Sequence, residues 1–211
     1  MKLPATLFAA CLLLLANTAS AVSDNQLVKC KTTKGDLVIE LHPEWSPLGA
    51  ARFLALMDDG FFEDNLLYRA LEGFLVQFGV AAEPALQAKW EAQRIKDEPK
   101  PFHKGAWRKG MLSFAGNGRD SRSCHMFITL APKGQVINPH LGAANHETAF
   151  AMVVDQQPMG VLDRFYMDYG DRTLGDQGEF AQKGLVYMHT KWPMLDRILK
   201  CARVESHHDE I

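Results

Sequence analysis

The apolar residues of this chain come in short runs, most of them ended by glycine, proline or a charged turn. Helical bundles need apolar stripes of roughly ten residues or more at 3.6-residue spacing, so the pattern points to strands. VKCKTTKGDLVIEL, residues 28–41, shows it most plainly. Two alternating runs flank Lys34-Gly35-Asp36, which predicts a β-hairpin. LYRALEGFLVQFGV, residues 67–80, reads as two short strands broken at Glu72-Gly73. GMLSFAG, HMFITLA and AFAMVV add three more strand-like runs. Only two stretches have helical character. Ser46 is a candidate N-cap, with Pro47 in the first turn and Ala50, Phe53, Leu54 and Met57 at helical spacing before Gly60. A second short helix fits residues 159–170, with Val161, Leu162, Phe165 and Tyr169 on one side. Residues 81–109 are polar and carry Pro84, Pro99, Pro101 and Gly105, the marks of a surface excursion. The expected class is mainly β, a barrel or a sandwich with helical caps, and periodicity does not choose between the two.

At 211 residues the chain is long enough for one domain with a sizeable core. Its formal charge of -2 is spread along the sequence, so neither a nucleic-acid partner nor a strongly basic one is expected. Residues 1–21 combine Lys2, an apolar run and Ala19-Ser20-Ala21, the three parts of a secretory signal peptide. The run is short for a membrane span, so no stable membrane insertion is expected after cleavage. The chain ends in HDEI, one residue from the HDEL retention signal. Together these predict the secretory pathway, with the endoplasmic reticulum lumen first and secretion second. The expected organisation is a leader over 1–21, a domain over 22–204 and a polar tail over 205–211. Cleavage would leave Cys30, Cys124 and Cys201. Cys30 and Cys201 sit near the two ends of the domain, and we expect them to pair and leave Cys124 free.

Arg69 and Gln77 stand out, a permanent cation and an amide in a segment that otherwise looks made for burial. TTKGDLVIELHPEWSP, FLALMDDGFF, YRALEGFLVQFGV, GMLSFAGNGRDSRSCHMFITLAP and AFAMVV, in that order, resemble the cyclophilins, the cyclosporin-type peptidyl-prolyl cis-trans isomerases. The resemblance covers about residues 28–165. DYGD…QG…G…Y…P-x-LD-x-I, at 168–198, is similar to a divergent subgroup with a C-terminal extension, here about 166–204. The resemblance implies an eight-stranded antiparallel β-barrel capped by two helices. In that fold the first and last strands are neighbours, which supports a Cys30–Cys201 disulfide.

The implied chemistry suits Arg69. Rotation about an X-Pro bond crosses a barrier of about 18–20 kcal/mol without breaking any bond. Neither metal nor cofactor is implied. A catalyst must favour the twisted amide over both planar forms. The twisted nitrogen carries a free lone pair, and a guanidinium is a fixed fork of donors for it. By resemblance Arg69 is that donor and Gln77 orients it. Phe74, Phe127 and Leu141 form the apolar pocket for the proline ring, with Met126 close by. Ala115, Gly116, His125 and His140 complete the substrate-binding set, and the implied partners are proline-containing polypeptides.

Four positions depart from the family pattern. Gly116 stands where the family usually has asparagine, and His125 where it usually has glutamine. His140 falls at the position of a tryptophan or histidine, which implies weak cyclosporin binding. Glu147, or His146 after a one-residue slip, falls where a histidine is usual, and neither is assigned a role. A proline-peptide-binding module that has lost most catalysis is the alternative reading. A metal site built from Cys124, His125, His140, His146 and Glu147 has the residue types but no compact ligand spacing. Cys124 as a nucleophile lacks an activating helix terminus or third group.

Overall fold

A computed structural model describes residues 26–99, 107–130, 141–142, 144–154 and 160–204. The leader-like segment, His140 and the HDEI tail lie outside the described residues. One antiparallel sheet contains β1 (Leu27–Thr32), β2 (Gly35–Leu41), β3 (Asn65–Leu66), β4 (Arg69–Leu71) and β5 (Leu75–Phe78). It also contains β6 (Met111–Phe114), β7 (Met126–Thr129), β8 (Ala149–Val153) and β9 (Arg197–Arg203). The spatial order is β3-β9-β1-β2-β8-β6-β7-β5-β4. Its two end strands are consecutive in the chain, with only Leu67 and Tyr68 between them, so the sheet curls until its ends meet. The architecture is the mainly β, barrel-like one expected. Among the described residues the strands number nine rather than eight, because the stretch after the first helix divides into β3 and β4, which pair at opposite ends of the sheet.

Alternation along the strands sets the interior. On β1, Val28, Cys30 and Thr32 face inward, and on β2, Leu37, Ile39 and Leu41 do. Helix α1 (Pro47–Asp58) closes one end of the curled sheet, with Phe53 packed on Phe62 and Phe150. Ser46 caps α1 as expected, accepting from Gly49 N at 3.3 Å. A more distant group does more. Glu98 accepts from Ser46 Oγ at 2.5 Å and from the backbone of Leu48 and Gly49, both at 3.1 Å. Arg122 is fully buried beside Glu98 and supplies the compensating charge. The supposed surface excursion is therefore tied into the fold at a helix N-terminus, where a carboxylate is favoured.

Two helix expectations need correction. The excursion contains a helix, α2 (Pro84–Glu91), whose Gln87 and Trp90 are buried. Of the stretch 159–170 expected to be helical, the described residues 160–170 form only a 3-10 turn at Val161–Arg164. Phe165 turns extended there, and Tyr166 N donates to the Asp196 carboxylate at 2.7 Å instead of continuing the ladder. The C-terminal extension carries α3 (Gln177–Lys191), two helical segments joined at a kink at Gly184, where φ is +69°. Its Phe180 and Met188, with Leu195, pack on Leu66, Tyr68 and Val80, while Tyr187 and Trp192 flank them. No helix among the described residues is long and apolar enough to cross a membrane.

Cys30 and Cys201 face each other across β1 and β9 with their Cα atoms 4.0 Å apart, and they are bonded. Cys124 is free and buried. The bond closes a loop of 171 residues, worth roughly 5 kcal/mol in the chain-entropy account. Replacing both cysteines with serine is expected to cost about 2–5 kcal/mol, read as a lower urea midpoint with the β-type far-UV spectrum retained. An unchanged midpoint would show that β1–β9 pairing holds without the bond.

Candidate active site

The register of three strands builds the site. Arg69 on β4 pairs with Gln77 on β5, and Gln77 pairs with Phe127 on β7. Residues opposite one another in adjacent strands point to the same face, so the cation, the amide and the ring form one row across the outer surface of the curled sheet. Phe74 and Leu75, from the turn into β5, extend that face. Ala115 and Gly116 come from the end of β6, and Leu141 and Glu147 from the approach to β8. Together they line a groove of about 300 Å³.

One wall of the groove is apolar. Phe127 and Leu141 are buried in a cluster with Leu75, Trp107, Met111 and Ala149, and Phe74 packs against it. The Trp107 ring lies 5.8 Å from that of Phe127. Gly142 has a φ of +74°, and a Cβ there would collide with Trp107 Nε1, so only glycine lets the backbone behind Leu141 come this close. Glu147 fixes the same turn by accepting from Gly142 N at 2.8 Å. The other wall is polar. Arg69 donates from Nη1 to Gln77 Oε1 at 3.2 Å and from Nε to Asp171 Oδ1 at 2.6 Å. Its side chain is 19% exposed. A larger hollow of about 630 Å³ lies among residues 96–99, 118–120 and 144–146. Charged and polar groups such as Lys96, Asp97, Arg119 and Asp120 dominate its lining, and it offers no comparable seat for an apolar ring.

Residues 27–177 match the family model of the cyclophilin-type peptidyl-prolyl cis-trans isomerases. The chain belongs to that family. It is 26% identical over 157 residues to peptidyl-prolyl cis-trans isomerase-like 2 of Neurospora crassa, covering 72% of this chain and 25% of that protein. It is 28% identical over 155 residues to peptidyl-prolyl cis-trans isomerase CYP18-1 of Arabidopsis thaliana, covering 71% of this chain and 89% of that protein. It spans only about a quarter of the first of these relatives. A cyclophilin-type isomerase of Cryptosporidium parvum, solved in the presence of the dipeptide Ala-Pro, has the same fold. The TM-score is 0.56 at 20% identity, covering 86% of this chain and all of that one.

Within this cyclophilin fold, the structure brings Arg69, Phe74, Gln77, Ala115, Gly116, Phe127 and Leu141 together. It does not bring in Met126, which is fully buried inside the curled sheet between Phe78 and Phe114. The cause is strand alternation: Phe127 faces out, so its neighbour faces in. His125, just before β7, is not among the residues that line this groove. His140 is outside the described residues. Gly116 keeps no open space for an asparagine side chain, because a Cβ there would meet His146 at 2.7 Å and Ser121 Oγ at 2.8 Å. Leu75, Trp107, Glu147 and Asp171 were not assigned roles from sequence. The YR-x-x-x-GFLVQ alternation could have found Leu75. Asp171 ends the DYGD motif of the extension, but nothing in that motif pointed to a contact with Arg69, 102 residues away.

The described residues include no group of three or more His, Cys, Asp or Glu able to hold a metal. Burial pushes the Cys124 thiol up to about 12, which is the opposite of an activated nucleophile.

His125 instead joins three elements. Its ring contacts Glu91 of α2 at 3.2 Å, Tyr68 Oη at 3.3 Å and Gln177 of α3 at 3.2 Å. Hydrogen bonding from His125 is the main cause holding the Glu91 carboxyl below its ordinary value, against an opposing effect of burial. A depressed folded pKa stabilises the fold above the unfolded pKa, and that contribution is lost as pH falls through the folded one. Glu91→Gln is therefore expected to be less stable than the parent at pH 7. The two should converge as pH drops below the usual glutamate value of about 4.3. Urea midpoints measured stepwise downward from pH 7 test this, and a constant gap would remove Glu91 from the acid response.

Proposed function

We propose that this chain catalyses cis-trans rotation of X-Pro bonds in flexible or unfolded polypeptides. The observation that carries the reading is the row Arg69–Gln77–Phe127, which sets a positioned guanidinium beside an apolar seat. The proline ring rests against Phe74, Phe127 and Leu141, where removing apolar area from water favours binding. The residue before proline then lies toward Arg69. As the amide twists, its nitrogen loses conjugation and gains a lone pair, and Arg69 donates to it. That hydrogen bond is stronger in the twisted state than in either planar state, so it lowers the barrier and not merely the energy of binding. Ala115 and Gly116 line the groove beside the peptide chain, with the Ala115 N–H itself donated to the His125 carbonyl at 2.9 Å. No covalent step is needed.

Arg69→Ala is expected to lower kcat/KM for a proline tetrapeptide on the order of a hundredfold with the fold intact. If the parent shows no isomerase activity yet binds proline peptides, and Arg69→Ala keeps most of that affinity, the groove belongs to a binding module.

The proposed setting is the secretory pathway, with the endoplasmic reticulum lumen as the leading compartment. Three observations support it: the leader-like residues 1–21, the HDEI terminus, and the Cys30–Cys201 bond, of a kind that persists in oxidising compartments. N-terminal sequencing of the protein recovered from its native cells is expected to begin at Val22. A start at Met1 would remove this assignment and leave the chemistry untouched.

A further inference from the structure

The C-terminal extension reaches three successive residues, Tyr68 just before β4 and Arg69 and Ala70 on it. Gln177 Nε2 lies 3.3 Å from Tyr68 Oη. Asp171 accepts from Arg69 Nε at 2.6 Å. Gly170 forms an antiparallel bridge with Ala70. β4 is a three-residue end strand paired on one side by β5, and this bridge covers part of its other edge. Gly170 has a φ of +57° and a ψ of -127°, which glycine adopts without strain. The chain turns there from the bridge into a 3-10 segment, Asp171–Asp176, and the turn lands Asp171 beside the guanidinium. The extension is not a loose flap, since its fully buried Phe180 and Met188 anchor it on Leu66, Tyr68 and Val80.

We propose that Asp171 is a positioning residue for Arg69, so that the extension completes the catalytic groove. This rests on the isomerase reading above. A guanidinium is planar and has five N–H donors. Asp171 takes Nε and Gln77 takes Nη1, so rotation about the end of the side chain breaks one of the two bonds. Nη2 has no partner among the described residues and remains for substrate. Gln77 alone would hold one nitrogen through a long amide and leave the plane free to swing. Asp171 is 57% exposed, so the pair adds little to stability, and its loss should be felt in the geometry of Arg69. Because Asp171 binds Nε and leaves Nη2 without a partner among the described residues, its role is support and not restraint.

The test uses the full chain with Asp171→Ala and Asp171→Asn, each checked for an unchanged urea midpoint. Asp171→Ala is expected to lower kcat/KM about tenfold, with the loss in kcat and KM little changed. Asp171→Asn keeps an uncharged acceptor at the same place and should recover part of the loss. In ¹⁵N-edited NMR spectra, Arg69 Nε–H should exchange slowly in the parent and rapidly in Asp171→Ala. Unchanged or raised activity in Asp171→Ala would overturn the proposal, as would an unaltered Nε–H signal. If the parent itself has no isomerase activity, the isomerase reading fails separately. The role of Asp171 is then decided by affinity for an Ala-Pro peptide together with the Nε–H signal. Equal affinity in parent and Asp171→Ala would overturn it.

Discussion

Pairing of the first strand with the last is the constraint on which the other parts depend. β1 lies between β2 and β9, and β9 in turn holds β3. Because β3 and β4 are neighbours in sequence but occupy opposite ends of the sheet, that pairing makes the sheet curl on itself. Curling gives every strand an inner and an outer side. The inner side takes Leu37, Phe78, Met126 and Phe150, and the outer side of β4, β5 and β7 is left to present Arg69, Gln77 and Phe127 in one row. A one-residue slip anywhere in this set would turn the row inward. The Cys30–Cys201 bond ties the register of β1 to that of β9.

The proposed reaction makes two demands of the groove. A donor for a twisted amide must be desolvated enough to act strongly, yet an isolated cation against an apolar wall is costly. Arg69 meets both demands by sitting at the boundary. Its own row supplies an amide, Gln77, and the C-terminal extension supplies a carboxylate, Asp171. The wall opposite is stiffened by Trp107 beneath Phe127 and by the Gly142–Glu147 turn. Charge and apolar surface thus meet along one line, held from both sides by elements far apart in the chain.

Much of this was legible in the residues themselves. Alternation in VKCKTTKGDLVIEL fixed the first hairpin, and Ser46-Pro47 marked the start of α1. YRALEGFLVQFG was enough to single out Arg69, Phe74 and Gln77. Reading failed where local pattern and distant contacts disagree. PALQAKWE looked like surface because its helix buries only Gln87 and Trp90. VLDRFYMDYG has helical spacing, but Asp196 takes the Tyr166 N–H and ends the turn early. Met126 was placed beside the pocket by resemblance, and strand alternation turned it inward.

Sequence by itself determined the class of fold, the positions of the turns and the cation that the proposed reaction calls for. Those depend on side-chain type and short-range spacing, which a chain carries with it before it folds. Tertiary structure alone decided that Glu98 caps a helix fifty residues away, that His146 fills the space beside Gly116, and that Asp171 reaches Arg69. Each of those is a contact between segments whose separation is set by the closure of the sheet, and no local pattern encodes a distance of that kind.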